Sequence, residues 1–417
     1  MPIDQNAPSL LPQVTGIADQ EPDQMIQSAL DFVRTHLKME VAYLSEFVDE
    51  DLVFRAVSAP GFEKLCHVGA QIPLDQVYCR HILAGRLPEL IPDTSVEPIC
   101  QGLPLTQNIP IKSHVSVPIR RRDGRPYGMF CCLSRDTRAD LTPRDLDVMR
   151  AFASLSADQI NDRIAIRLET SRVRTSVTSI ISARDFDIVF QPIFKADNLH
   201  PTGFEALSRF RTDPYRPPNH WFEDAARVGL DVELELAAID SALTALEALP
   251  ADMYLSVNAG PKTLMSGQLP DVFAKHDTHR ILLELTEHAK IDDYDALLDA
   301  LQPLRDKGVR LAIDDAGAGY SGLQHIVQLQ PDVIKLDMSL TRNVDKDVVR
   351  RSLAAALVRF GSEINAKIVA EGIETKGELA ALKDLGVPLM QGYLLGKPTD
   401  LNAARAAWFA PNMRQRA

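Results

Sequence analysis

From Asp187 onward the sequence repeats one theme: a short apolar run rich in β-branched residues, then a stretch with helical spacing. The runs read as strands are Ile188–Ile193, Gly203–Phe210, Tyr254–Asn258, Ile281–Leu285, Val309–Ile313, Val333–Leu336, Lys367–Ala370 and Met390–Leu395. Helical periodicity fills intervals such as Val232–Leu249, Tyr294–Lys307 and Val348–Ile364. Eight strands alternating with helices predict an α/β fold, a (β/α)8 TIM-like barrel. In such a barrel the C-terminal strand ends converge, and the chemistry sits there.

Those ends carry Glu205, Asn258, Glu284, Asp314 and Asp315, Lys335 and Asp337, Glu371 and Gln391. Asp314 and Asp315 stand side by side after the apolar run Val309–Ile313, and the glycine-bearing loop Gly317–Gly319 follows. Read alone, the pair fits an Asp-rich turn capping the next helix as well as it fits a metal site. Adjacent carboxylates at a buried strand end are costly without a cation. The other strand ends decide the reading. Carboxylates and an amide converging on one point describe a hard, all-oxygen, two-metal site, which favours magnesium, manganese or calcium over zinc.

The motifs in this region resemble those of the EAL-type cyclic-di-GMP phosphodiesterases. The resemblance rests on Phe204-Glu205-Ala206-Leu207-Ser208-Arg209 and on Gln191-Pro192-Ile193, Val257-Asn258 and Leu283–Glu287. It continues through Asp314–Leu323, Lys335-Leu336-Asp337, Ala370–Glu374 and Gln391–Pro398. It implies that Glu205, Asn258, Glu284 and Asp314 ligate Mg2+ or Mn2+, with Asp315 serving the second ion. Lys335 is implied to deprotonate or orient the attacking water, with a pKa depressed by two nearby dications, and Glu371 to face the same centre. Arg209 is implied to bind a substrate phosphate and Gln191 and Leu207 to line the groove. Gln391 is implied to contact the water or its ligands, and Asp337 is grouped with the substrate-binding positions. Glu287 is implied to anchor the loop after Asp314–Asp315. For Asp337 and Glu374 a purely structural role reads as the better alternative. The sequence departs from the common pattern at Ala316, where phenylalanine is frequent, at Ala318, where threonine is frequent, and at His288, where serine is common.

The first third is organised differently. Ile26, Leu30, Val33 and Leu37 fall at helical spacing; Val41–Val48 and Leu52–Val57 read as strands joined through Asp49-Glu50-Asp51. Asp123-Gly124 marks a hairpin. Tyr78–Thr94, Val117–Ile119 and Asp123–Ser134 resemble a GAF domain, which implies an α/β sensory domain around a mostly antiparallel sheet. Domains of that family hold cyclic nucleotides, tetrapyrroles, haem or nothing, so the GAF ligand is unknown. His67, His81 and His114 are candidate ligands, and Cys79 a candidate thiol for a cofactor or redox role; packing is the weightier reading for each. Cys66, Cys79, Cys100, Cys131 and Cys132 form no CxxC and read as reduced thiols.

Thr142-Pro143-Arg144-Asp145 opens a long helix: Thr142 can cap it, Pro143 suits its first turn and Asp145 sits at the capping-box position. The expected organisation is a flexible tail over 1–22, a GAF-like sensor over 23–165, a helical linker over 166–182 and an EAL phosphodiesterase domain over 183–410. The net charge of −12 argues against duplex nucleic acid as a partner. No run reaches the roughly 18 apolar residues of a membrane helix, and the start lacks a basic, apolar leader. The expectation is a cytoplasmic homodimer. It hydrolyses cyclic di-GMP to linear pGpG under control of the GAF-like domain. The alternative is a weak or inactive barrel that serves as a cyclic-di-GMP receptor.

Overall fold

The computed structural model describes residues 24–285, 291, 293–316 and 321–409, the side chains of 315, 321–323, 408 and 409 excepted. The chain divides into two compact units, Met1–Leu168 and Glu169–Ala417.

In the first unit the helix Gln24–His36 precedes six strands: β1 (Val41–Val48), β2 (Asp51–Ser58), β3 (Gln71–Pro73), β4 (Leu90–Ile91), β5 (Ser113–Arg120) and β6 (Pro126–Ser134). All pairings are antiparallel, in the order β3-β2-β1-β6-β5-β4. The sheet is covered on both faces. Ala42, Leu44, Phe130 and Cys132 pack under the helix Gln24–His36 and Met149. Val41, Tyr43, Met129 and Cys131 pack against Tyr78, Cys79 and Ile82 of the short helix Tyr78–Leu83. The expected mostly antiparallel sheet and the hairpin at Asp123-Gly124 are both present; Gly124 takes φ +82°, which favours glycine.

The helix Pro143–Ala183 crosses the division between the units. Asp145 accepts from the Thr142 backbone N–H at 2.8 Å, as the capping motif predicts. Its apolar stripe is broken because it serves two cores. Met149, Ala153 and Ile160 pack in the first unit, while Val173, Val177 and Ile180 pack in the second with Phe210, Trp221 and Val228.

The second unit is a closed eight-stranded barrel. Its strands are β7 (Phe186–Lys195), β8 (Pro201–Phe210), β9 (Tyr254–Ala259), β10 (Ile281–Leu285), β11 (Arg310–Ala316), β12 (Val333–Leu336), β13 (Lys367–Ala370) and β14 (Leu389–Met390). The barrel is mixed, unlike a uniform (β/α)8 barrel: β7 runs antiparallel to both neighbours, β8 and β14, and a short turn joins it to β8. The last strand is also shorter than Met390–Leu395. After Met390 the chain curls, with Leu395 and Gly396 N–H groups both donating to the Gly392 carbonyl. Leu282, Ala312, Val333, Val369 and Leu389 fill the barrel interior with Ile193 and Tyr254.

Candidate active site

That interior layer sets the site by simple alternation. Side chains two residues apart on a strand share a face. Two residues beyond Leu282, Ala312, Val333, Val369 and Leu389 come Glu284, Asp314, Lys335, Glu371 and Gln391. Gly203 leads likewise to Glu205, and Tyr254 to Ser256 and Asn258. Because β7 runs the other way, its residue at this level precedes Ile193: Gln191 pairs in register with Glu205.

The centre of the group is Lys335, whose side chain is 1% exposed. Its ammonium lies 2.7 Å from Glu371 Oε1, 2.8 Å from Glu284 Oε2, 3.0 Å from Asp314 Oδ1 and 3.5 Å from Glu205 Oε1. It donates a hydrogen bond to Glu284, whereas the Glu371 contact is a close ion pair without hydrogen-bond alignment. Gln391 Nε2 donates to Glu205 Oε2 at 2.7 Å, and Asn258 Nδ2 reaches Glu205 Oε1 at 3.4 Å. Ser256 donates to Glu284 Oε1 at 2.5 Å. Ser256 is a site residue that the motif reading missed, though the alternation between Tyr254 and Asn258 marks it.

Burial pushes the Glu284 carboxyl up to about 8, against the pull of Lys335 and helped by Glu205 and Asp314. Burial likewise raises Glu371 well above the usual carboxylate range. Burial alone would lower the Lys335 ammonium, but Asp314, Glu205, Glu284 and Glu371 outweigh it and hold it well above its ordinary value. The depressed lysine expected from the sequence concerned a chain carrying two dications; for the chain by itself the direction is the opposite.

Four carboxyl groups crowd one ammonium, so burial and mutual repulsion drive Glu284 and Glu371 toward their protonated forms, and the buried Gln391 Oε1 has no hydrogen-bond partner. Among the described residues no three acidic, His or Cys groups are already drawn to one point in ligating geometry; the Lys335 ammonium stands between them. The donor set nonetheless fits hard divalent cations: all oxygen, anionic and screened from water.

The other expected residues are spread around this centre. Leu207 and Arg209 follow Glu205 along the same face of β8, both half-buried, and Arg209 donates to the Ser208 carbonyl at 2.7 Å. Gln191 donates to the Gly396 carbonyl at 3.3 Å. Asp337 caps the helix Met338–Thr341 by accepting from Ser339 N–H at 2.9 Å. Glu374 pairs with Arg342. The Asp315 side chain, Glu287, His288, Gly317, Ala318 and Gly319 lie outside the described residues, whereas Ala316 is fully buried at the end of β11. In the first unit His67 is exposed, and His81 accepts from Arg86 at 3.2 Å. His114 is buried against the Tyr78 ring, and all five cysteines are free thiols.

A search of curated proteins finds an uncharacterized signaling protein of Caulobacter vibrioides, 26% identical over 84% of this chain and 43% of that protein. The probable cyclic di-GMP phosphodiesterase PdeD of Escherichia coli is 29% identical over 53% of this chain and 43% of its own length. The chain thus spans less than half the length of these relatives. Among solved structures, the PaMucR phosphodiesterase in complex with c-di-GMP superposes with a TM-score of 0.51 at 28% identity. It covers 56% of this chain and 99% of that one. The GAF domain model matches residues 19–161 and the EAL domain model residues 173–398. The chain therefore belongs to the EAL family, the family of the cyclic-di-GMP phosphodiesterases, and carries a GAF domain ahead of its EAL barrel.

Proposed function

We propose that this chain hydrolyses cyclic di-GMP to linear pGpG at the carboxylate-rich end of the barrel. The observation that carries the reading is a fully buried lysine held 2.7–3.0 Å from three carboxyl groups, two of which burial drives toward the protonated form in the absence of a further cation. Glu205, Asn258, Glu284 and Asp314, with Asp315, would hold two Mg2+ or Mn2+ ions. When bound, such ions stabilise charge on the phosphate and lower the pKa of an attacking water. Lys335 orients that water and accepts or returns a proton at Nζ, assisted by Glu371. Gln391 fixes Glu205 through the amide bond to Oε2. Arg209 offers a guanidinium fork to a phosphate, and Gln191, Leu207 and Asp337 border the groove. For Glu287, outside the described residues, the family motif alone supports a loop-anchoring role.

The GAF domain would regulate turnover, and the chain would act as a homodimer. Exposed Met25, Phe32 and Leu155 line an apolar groove of the first unit, which supports a self-association face. Among the described residues no helix is long and apolar enough to cross a membrane. The receptor reading draws on Ala316, which replaces a bulky side chain beside the Asp pair without removing an oxygen ligand.

Incubation with cyclic di-GMP and chromatographic separation of the nucleotides decides between the two. Magnesium or manganese should yield the linear dinucleotide. Calcium should not, because its longer and looser coordination spoils a tight two-ion geometry. Binding without product under any metal would leave the receptor reading, and equal rates in calcium would count against the two-ion site. Ser256→Ala should raise the metal concentration needed for half-maximal rate by about 10-fold or more, since it frees a ligand carboxylate from its orienting partner. The rate at saturating metal should change little; an unchanged metal requirement would remove Ser256 from the site.

A further inference from the structure

Asn258 stands near the end of β9 with less support than the strand residues before it. The ladder from β8 stops at the Glu205–Ser256 pair, two residues short of it. On the other side β10 carries the ladder through Glu284–Asn258 to Leu285–Ala259, where it ends. The Asn258 side chain is loosely tied as well, its amide reaching Glu205 Oε1 at a long 3.4 Å. The backbone N–H just past the ladder, that of Gly260, donates to a side chain instead: Glu235 Oε2 accepts it at 2.7 Å. Glu235 is half-buried on the helix Asp231–Leu243, which Leu234, Ala238, Ile239 and Leu243 seat in two apolar clusters. The carboxylate also closes against the glycine itself, since a Cβ on Gly260 would stand 3.2 Å from Glu235 Oε1. Gly260 has φ −78° and ψ 162°, extended backbone open to any residue, so what the position asks of glycine is room for that carboxylate. A second tie joins the same elements: Lys262 Nζ lies 3.0 Å from Asp231 Oδ2, on the surface.

We propose that Glu235 is a positioning residue for Asn258: by holding the Gly260 N–H it fixes the end of β9 and so aims the Asn258 amide oxygen at a divalent cation. The inference rests on the two-ion reading of the barrel end, to which it adds a support from a helix that carries none of the ligands. Aim matters more for this ligand than for its neighbours. A carboxylate attracts a cation by its charge at any angle, whereas a neutral amide attracts it only while its dipole points there. Groups that orient a ligand from behind are accordingly worth much of its affinity. The Glu235 bond is not a cap of the helix that follows. A cap accepts from the second or third N–H of a helix, while Glu235 takes the N–H of Gly260, the residue before the helix Pro261–Met265. That helix begins on a proline, which has no N–H to satisfy.

Manganese binding to the full chain is measured by isothermal titration without nucleotide, at a temperature where circular dichroism shows each variant folded. Glu235→Ala should raise the manganese concentration at half-saturation by about 10-fold or more, the scale of a lost partner behind a ligand. Glu235→Gln keeps an oxygen where the Gly260 N–H points and should bind as the parent does. Gly260→Ala, which crowds the carboxylate without changing any charge, should weaken binding in the same direction as Glu235→Ala. Lys262→Ala, which cuts only the surface tie to Asp231, should leave binding unchanged. Parental half-saturation in folded Glu235→Ala, whatever its melting temperature, would make Glu235 structural only and overturn the inference while the metal site stands. Glu235→Gln as weak as Glu235→Ala would mean that charge was lost and not a bond, and would overturn it too. So would equal weakening by Lys262→Ala. Where Glu235→Ala fails to fold, Gly260→Ala decides: parental half-saturation there overturns the inference. A parent that takes up no manganese would sink the site and the inference together.

Discussion

Alanine in place of Lys335 should lower cyclic-di-GMP hydrolysis by about 100-fold or more, the scale of a lost acid–base group. Substrate binding should survive, because Arg209, Gln191 and Leu207 are untouched. The same substitution has a second consequence that a merely catalytic lysine would not have. Lys335 is the cation among Glu205, Glu284, Asp314 and Glu371. Removing one partner of a buried ion pair leaves the other charge uncompensated, typically at about 3–5 kcal/mol. The variant should therefore melt well below the parent without divalent cations, and magnesium should raise its melting temperature more than it raises the parent's. Lys335→Met keeps the side-chain volume and separates packing from charge. A near-parental rate in either variant would sink the assignment of Lys335. Equal thermal responses to magnesium in variant and parent would sink the electrostatic account.

Much of this site was legible because a barrel obeys a two-residue repeat. Once the apolar strands are read, the polar residues that share their inward face must meet at one end, and Glu205, Glu284, Asp314, Lys335, Glu371 and Gln391 do so. Strand direction was not legible in the same way. A short apolar strand reads alike in both directions, so the antiparallel β7 emerged only from its pairing with β8 and β14. The end of β14 misled for a related reason. Tyr393-Leu394-Leu395 is apolar enough to extend a strand, yet Tyr393 is 55% exposed and the chain there follows a turn. Ser256 was missed because a serine inside an apolar run carries no motif, although its hydroxyl holds Glu284. The GAF sheet hid its two cores as well. With both faces covered, neighbours such as Cys131 and Cys132 serve opposite cores, and no alternation of polar and apolar residues marks them.

Gly392→Ala should destabilise the barrel by about 3 kcal/mol or more, at the upper end of overpacking costs. A Cβ at this position would stand 2.2 Å from both the backbone N and O of Ile373. Neither atom can swing aside as a side chain would. Ile373 N–H donates to the Gln391 carbonyl and the Ile373 carbonyl accepts from Leu394 N–H, so moving it breaks the seam that follows β13 and β14. Gln391 is the immediate neighbour, and its amide holds Glu205 Oε2 at 2.7 Å. Loss of stability and loss of activity should therefore appear together, with the activity loss persisting at temperatures where the variant is still folded. Gly386→Ala is the control. Gly386 has φ +78° and nothing within 4 Å of its added Cβ, so the cost should be only the left-handed backbone penalty, about 1–2 kcal/mol. Its activity per folded molecule should match the parent. Denaturant unfolding of the two variants, with rates corrected for the folded fraction, separates the cases. Equal destabilisation by both substitutions would mean that the Ile373 backbone yields, and that Gly392 does not hold Gln391 in place.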